Sequence, residues 1–122
     1  MSKKILIVDD DVILAQEMTE ILCGHGYSVE NASDSSKGLQ LIKENVYDIY
    51  LFDYKMTGLS GIDLLKEVKE TNEEASVFII SGRPAIDNLL REANVAHLVS
   101  CVLKKPFDVE VLLQKIKDHT EP

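Results

Sequence analysis

Four apolar segments of this sequence each end in polar residues that can bind a cation or a phosphoryl group. The segments lie at residues 4–8, 47–52, 76–80 and 100–103. The polar residues that follow them, in chain order, are Asp9, Asp10 and Asp11, then Asp53, Ser81 and Lys105. If the segments are parallel strands of one sheet, these residues meet along one edge, where open α/β sheets bind ligands.

These side chains together have a specific chemistry. Three neighbouring carboxylates repel one another and need a counter-ion, and hard oxygen ligands suit Mg²⁺, which often shares phosphate oxygens. A carboxylate can also attack phosphorus and form an acyl phosphate. The phosphoryl group then needs positive charge and hydrogen-bond donors, which Lys105 and the Ser81 hydroxyl supply together with Mg²⁺. The sequence therefore predicts a site for Mg²⁺ and a phosphoryl group.

Each residue also has an ordinary explanation when it is taken alone. Asp11 has the position of a helix N-cap, Ser81 stands beside a glycine as turn residues often do, and most lysines are simply solvated. The coincidence of all four strand ends favours a functional site.

The elements that must position these residues follow from hydrophobic periodicity, because apolar runs alternate with helical patterns five times. The predicted strands are Lys4–Val8, Tyr27–Asn31, Tyr47–Phe52, Ser76–Ile80 and Ser100–Leu103. The last three are almost continuously apolar, which indicates a parallel sheet covered on both faces. We predict a doubly wound α/β fold with a five-stranded parallel sheet in the flavodoxin-like order 2-1-3-4-5 and helices on both faces.

Five helices are predicted between and after the strands. The first spans Val12–Cys23 and the third Gly61–Glu70, and the fourth starts near Pro84. The second is capped by Ser33, Asp34 or Ser35, and the last by Asp108. The apolar stripe predicted for the first helix comprises Ile13, Leu14, Met18, Ile21 and Leu22, and that of the last helix Val111, Leu112 and Ile116.

Length and composition narrow the class of protein. With 122 residues we expect a single domain over residues 1–122. The net charge of −8 disfavours direct binding of nucleic acid or anionic membranes, and no apolar run is as long as a membrane span. Cys23 and Cys101 lie in apolar stretches, so we expect small buried hydrophobic residues in a reducing, cytoplasmic compartment.

Over essentially its whole length the chain resembles the receiver domain of two-component response regulators. The matching motifs are Val8-Asp9-Asp10, Asp53-x-x-Met56 with Gly61, Ser81-Gly82, and Lys105-Pro106-Phe107. The resemblance implies that Asp53 accepts a phosphoryl group from a phosphohistidine on a sensor histidine kinase or a phosphotransfer protein. It also implies that Ser81 and Lys105 contact that group, and that the Lys105–Pro106 bond is cis. It implies Mg²⁺ binding by Asp9, Asp10, Asp53 and the Lys55 backbone carbonyl.

The resemblance further implies a signalling domain rather than a conventional enzyme. Its output would be a downstream effector protein or a fused output domain, and a phosphorylation-dependent dimer is a further expectation. Three departures from the family's usual pattern bear on that output. Thr57 stands where the family usually has proline, and Val102 stands where it usually has an aromatic residue that turns inward on activation. The segment from Ser81 to Lys105 is also slightly longer than usual.

Two other functions remain as alternatives. A degenerate receiver would act as a docking module that needs no phosphorylation, which the missing aromatic residue permits and the intact acids oppose. Asp9-x-Asp11 also resembles the nucleophile motif of haloacid dehalogenase-like phosphatases. Those phosphatases need a further strand that ends in acids. If this chain were one of them, it would hydrolyse phosphate esters after Asp53→Asn but not after Asp9→Asn.

Overall fold

The computed structural model describes residues 2–120. Its five short strands pair in parallel in the order β2-β1-β3-β4-β5, which confirms the predicted fold class and strand order. The strands are β1 (Lys4–Val8), β2 (Ser28–Ala32), β3 (Ile49–Asp53), β4 (Ser76–Ser81) and β5 (Cys101–Lys104).

The register of the sheet brings the strand ends together. Val8 of β1 pairs with Phe52 of β3, so the next residues along these strands, Asp9 and Asp53, lie side by side. Asp53 pairs in turn with Ile80 of β4, which precedes Ser81. The carboxyl ends of β1, β3 and β4 therefore lie level at one edge of the sheet.

Five α-helices and one 3₁₀ helix connect the strands. The α-helices are α1 (Val12–Gly24), α2 (Ser35–Glu44), α3 (Gly61–Thr71), α4 (Ile86–Glu92) and α5 (Val109–Thr120), and the 3₁₀ helix spans Ala96–Leu98. Asp11 caps α1 by accepting a hydrogen bond from the Leu14 N–H, as predicted. Asp34, one of the three candidates, caps α2. The Asp108 carboxylate accepts the N–H of Glu110 at the start of α5.

The hydrophobic core forms one layer on each face of the sheet. Alternate residues of the strands, such as Leu6 and Phe52, pack with α2, α3 and α4. The intervening residues, such as Ile7 and Leu51, pack with α1 and α5. Because both faces are covered, β1, β3 and β4 are largely apolar at successive positions, whereas the edge strand β2 carries exposed polar residues.

Some predictions about side-chain exposure are wrong. Ile13 is 74% exposed and Val111 47% exposed, because each stands at the solvent edge of its helix stripe in the first turn. Cys23 is exposed and Cys101 is only partly buried, and neither forms a disulfide. The fourth helix starts near Pro84, as predicted: Pro84 lies in a turn, and α4 begins two residues later at Ile86. None of the helices within residues 2–120 is long and apolar enough to cross a membrane.

Candidate functional site

The carboxyl edge of the sheet contains an open crevice of about 830 Å³. Its lining includes four residues predicted from strand ends, Asp10, Asp53, Ser81 and Lys105, and also Lys55. The other lining residues are Met56, Thr57, Gly82 and Arg83. The structure therefore brings the sequence-predicted side chains together in one place.

Three carboxylates form the acidic part of the crevice. Asp9 is 1% and Asp53 6% exposed, whereas Asp10 is exposed to solvent. One oxygen from each of the three lies within 4.8 Å of the others. Asp9 also accepts a hydrogen bond of 2.9 Å from the Asp11 N–H, which fixes its carboxylate at the start of α1. This close group of hard oxygen atoms fits a divalent cation such as Mg²⁺.

Lys105 is the cation that contacts the buried acids. Its Nζ lies 3.4 Å from Oδ2 of Asp9 and 3.6 Å from Oδ1 of Asp53. The Lys105 N–H donates to the Ser81 carbonyl at 2.8 Å, and the peptide bond to Pro106 is cis, as expected. Lys105 is thus anchored by its backbone and directs its charge toward both Asp9 and Asp53.

Burial in the crevice, together with the neighbouring acids, raises the pKa of Asp53 to about 7. Burial is the largest cause, and the neighbouring charge of Asp9 and the weaker influence of Asp10 act in the same direction. Lys105 opposes them by favouring the ionised form. The carboxylate is therefore costly to ionise in the folded chain, and a bound cation would relieve that cost.

Ser81 lies at the end of β4 and is almost fully buried. Its Oγ accepts a 3.0 Å hydrogen bond from the Arg83 N–H, two residues farther along the loop. The hydroxyl proton remains available to a group in the crevice. This geometry suits a donor to a phosphoryl oxygen.

Arg83 was not identified from the sequence. It lines the crevice, and its guanidinium carbon lies 5.6 Å above the centre of the Tyr54 ring. With Lys55 and Lys105 it makes three cationic side chains around the crevice of a chain whose net charge is −8. Its position two residues after Ser81, in a loop at a strand end, was the available signal.

Ser35 is a second residue whose connection to this region was not predicted. The sequence placed it only among the caps of α2, yet its Oγ contacts the loop between β3 and α3. That loop approaches β3 closely at its end, because a Cβ on Gly61 would lie 2.7 Å from the Asp53 carbonyl oxygen. Only glycine fits there without moving the backbone of the crevice.

The haloacid dehalogenase alternative gains no support from this arrangement. It assigns no role to Asp53, which lies at the centre of the crevice. Within residues 2–120, no strand follows β5 to supply the further acids that those phosphatases need.

Comparison with known proteins places this geometry in a family. The sequence model of the response regulator receiver domain family matches residues 5–117 of this chain. A solved CheY-like response regulator receiver domain protein from Methanospirillum hungatei JF-1 is 30% identical, with a TM-score of 0.87 over 97% of this chain and 93% of that one. A response regulator receiver domain protein from Clostridium thermocellum is 31% identical, with a TM-score of 0.84 over 96% of this chain and 93% of that one.

Longer relatives contain the same domain. The response regulator MprA of Mycobacterium sp. (strain KMS) is 30% identical over 117 residues, which are 96% of this chain and 50% of that protein. The chain thus spans about half the length of this curated relative.

Proposed function

The chain belongs to the response regulator receiver domain family, and we propose that it receives a phosphoryl group on Asp53 in a Mg²⁺-dependent reaction. The donor would be a phosphohistidine on a sensor histidine kinase or a phosphotransfer protein. The observation that supports this proposal most directly is the position of Asp53, which is buried at the crevice with Lys105 Nζ 3.6 Å from its carboxylate.

The transfer is an in-line displacement at phosphorus. An Asp53 carboxylate oxygen forms the new P–O bond while the P–N bond to the donor imidazole breaks, and the imidazole leaves with the bonding electron pair. Lys105 and the Ser81 hydroxyl would contact the oxygens of the phosphoryl group. Asp9, Asp10, Asp53 and the Lys55 carbonyl would bind Mg²⁺, which supplies positive charge to the phosphoryl oxygens.

The proposal is tested by phosphorylation with a small acyl phosphate. Acetyl phosphate and Mg²⁺ should add one phosphoryl group to the purified chain, because the crevice already contains the acceptor and its cation. Intact-mass spectrometry should show the adduct, and borohydride reduction followed by peptide mapping should locate it at Asp53. No adduct should form when EDTA replaces Mg²⁺ in the reaction.

A different result would separate the alternatives. Modification at another residue would contradict the assignment of Asp53. If the folded chain is not modified and still binds partners from a two-component pathway, it acts as a degenerate receiver, a docking module that needs no phosphorylation.

The output of the phosphorylated domain would be a change in the surface that includes α4 and β5. The partner would be a downstream effector protein or an attached output domain, or a second phosphorylated copy. Val102 of β5 is partly buried against the core layer that includes α4, and it lacks the size and rotamer freedom of an aromatic reporter. Helix α4 is only seven residues long and has no side-chain hydrogen bond at its N-cap.

We therefore predict that phosphorylation moves the loop and helix after Ser81 and leaves the rotamer of Val102 unchanged. The exposed Lys104–Asp87 ion pair, 3.1 Å long, is too weak to hold α4 in place. Structures with and without beryllofluoride and Mg²⁺ should show displacement of the backbone from Gly82 to Leu90. An unchanged backbone with a new Val102 rotamer would contradict this mechanism.

A further inference from the structure

Ser35 connects helix α2 to the loop that follows Asp53. It is the first residue of α2 and is 3% exposed. Its Oγ donates a 3.1 Å hydrogen bond to the Thr57 carbonyl and accepts a 3.0 Å hydrogen bond from the Leu59 N–H. One hydroxyl therefore satisfies two backbone groups that lie on either side of Gly58.

This loop, residues 54–60, forms part of the wall of the crevice through Lys55, Met56 and Thr57. At its ends, the Tyr54 N–H donates to the Ile80 carbonyl and the Gly61 N–H donates to the Tyr54 carbonyl. Between Lys55 and Leu59, the Ser35 hydroxyl is the only hydrogen-bond partner of the backbone within the described residues 2–120. The middle of the loop is thus fixed to the rest of the fold at this point.

The close approach at Gly58 shows how tightly the loop lies against Ser35. Gly58 has φ +89°, a conformation that favours glycine, and a Cβ there would lie 2.9 Å from the Ser35 Oγ. The hydroxyl is not needed to cap α2, because Asp34 accepts the Lys37 N–H in that role. The contact of Ser35 therefore serves the loop and not its own helix.

We propose that Ser35 is a positioning residue for the cation and phosphoryl site. By holding Thr57 and Leu59, its hydroxyl keeps in place the preceding residues that line the crevice, including Lys55 and its backbone carbonyl. A ligand oxygen that is fixed before the metal arrives costs less entropy on binding. This inference rests on the proposed function, because that function assigns the Lys55 carbonyl to Mg²⁺.

The test compares Ser35→Ala with Ser36→Ala, which makes the same change at the next, exposed residue of α2. In the metal-free protein, NMR should show the Leu59 amide proton of Ser35→Ala shifted upfield, as expected when its acceptor is lost. Titration with Mg²⁺ should then give an affinity about three- to tenfold weaker than wild type, the effect of about one hydrogen bond. Ser36→Ala should match wild type in both measurements, and Ser35→Thr, which keeps the hydroxyl, should restore the affinity.

Wild-type Mg²⁺ affinity in a folded Ser35→Ala protein would overturn the proposal and leave Ser35 with a structural role only. If Ser35→Ala does not fold, the proposal is tested instead by hydrogen exchange of the Leu59 amide in the wild-type protein. Its protection should increase on Mg²⁺ binding, and unchanged protection would overturn the proposal. The proposed function fails separately, if wild-type protein binds Mg²⁺ but Asp53 is never phosphorylated.

Discussion

The Asp53→Asn protein is expected to take up no phosphoryl group and, without Mg²⁺, to be more stable than wild type at neutral and alkaline pH. The loss of phosphorylation follows from the acceptor, because an amide does not replace the carboxylate nucleophile. The gain in stability follows from the crevice, where the Asp53 carboxylate is buried beside Asp9 and Asp10. Asparagine keeps the shape of the side chain and removes the charge.

The pH dependence of this gain has a definite sign. The pKa of Asp53 rises from 3.8 to about 7 on folding, so the folded chain binds this proton more tightly than the unfolded chain. The stabilisation from the proton is complete below about pH 4 and is lost as the pH rises to about 7. Because the crevice is open to solvent, which screens these charges, we expect the free energy of unfolding of the wild-type protein to fall by roughly 1–2 kcal/mol over this pH range.

Urea unfolding at pH 5 and pH 8 in EDTA measures this effect. The free energy of unfolding of Asp53→Asn minus that of wild type should be larger at pH 8 than at pH 5. Asp118→Asn, at an exposed position on α5, provides the control for a general change of charge and should show a small, different dependence. An equal difference at both pH values would show that the pKa of Asp53 is not raised.

The site residues that could be predicted from the sequence are those at the ends of the strands, because the sheet determines their position. Asp53, Ser81 and Lys105 were identified because each follows a buried apolar run, and parallel strands place such ends along one edge. The pairing of Val8 with Phe52, which the structure shows, then places Asp9 next to Asp53. The motif and the strand order therefore determine the centre of the crevice together.

The parts that were missed depend on loops and on the exact rotation of helices. Ser35 reaches the loop at Thr57 through contacts between segments 22 residues apart, which periodicity cannot predict. Arg83 takes its position from the turn after Ser81, and that turn has no repeating pattern. Helical periodicity placed Ile13 in the buried stripe, yet in the first turn of α1 this side chain is 74% exposed.

Replacing both Asp9 and Asp10 with asparagine should weaken Mg²⁺ binding roughly a hundredfold. Each carboxylate charge near a divalent cation contributes on the order of 1 kcal/mol or more even in a well-solvated site, and two charges are removed. Phosphorylation of Asp53 by acetyl phosphate should fall in parallel, because the reaction depends on the cation. In EDTA the double variant should be more stable than wild type, since repulsion on Asp53 is relieved.

Isothermal titration with Mg²⁺ and urea unfolding in EDTA measure the two effects on the same samples. The double variant Glu73→Gln and Glu74→Gln is the matched control, because it removes two adjacent exposed charges just before β4, at the opposite edge of the sheet. If it weakened Mg²⁺ binding as much, the effect would come from the overall charge and not from a site. Wild-type affinity after loss of both Asp9 and Asp10 would show that these acids do not bind the cation. A variant that binds Mg²⁺ weakly yet is less stable in EDTA would show that the Asp9–Lys105 contact outweighs the repulsion.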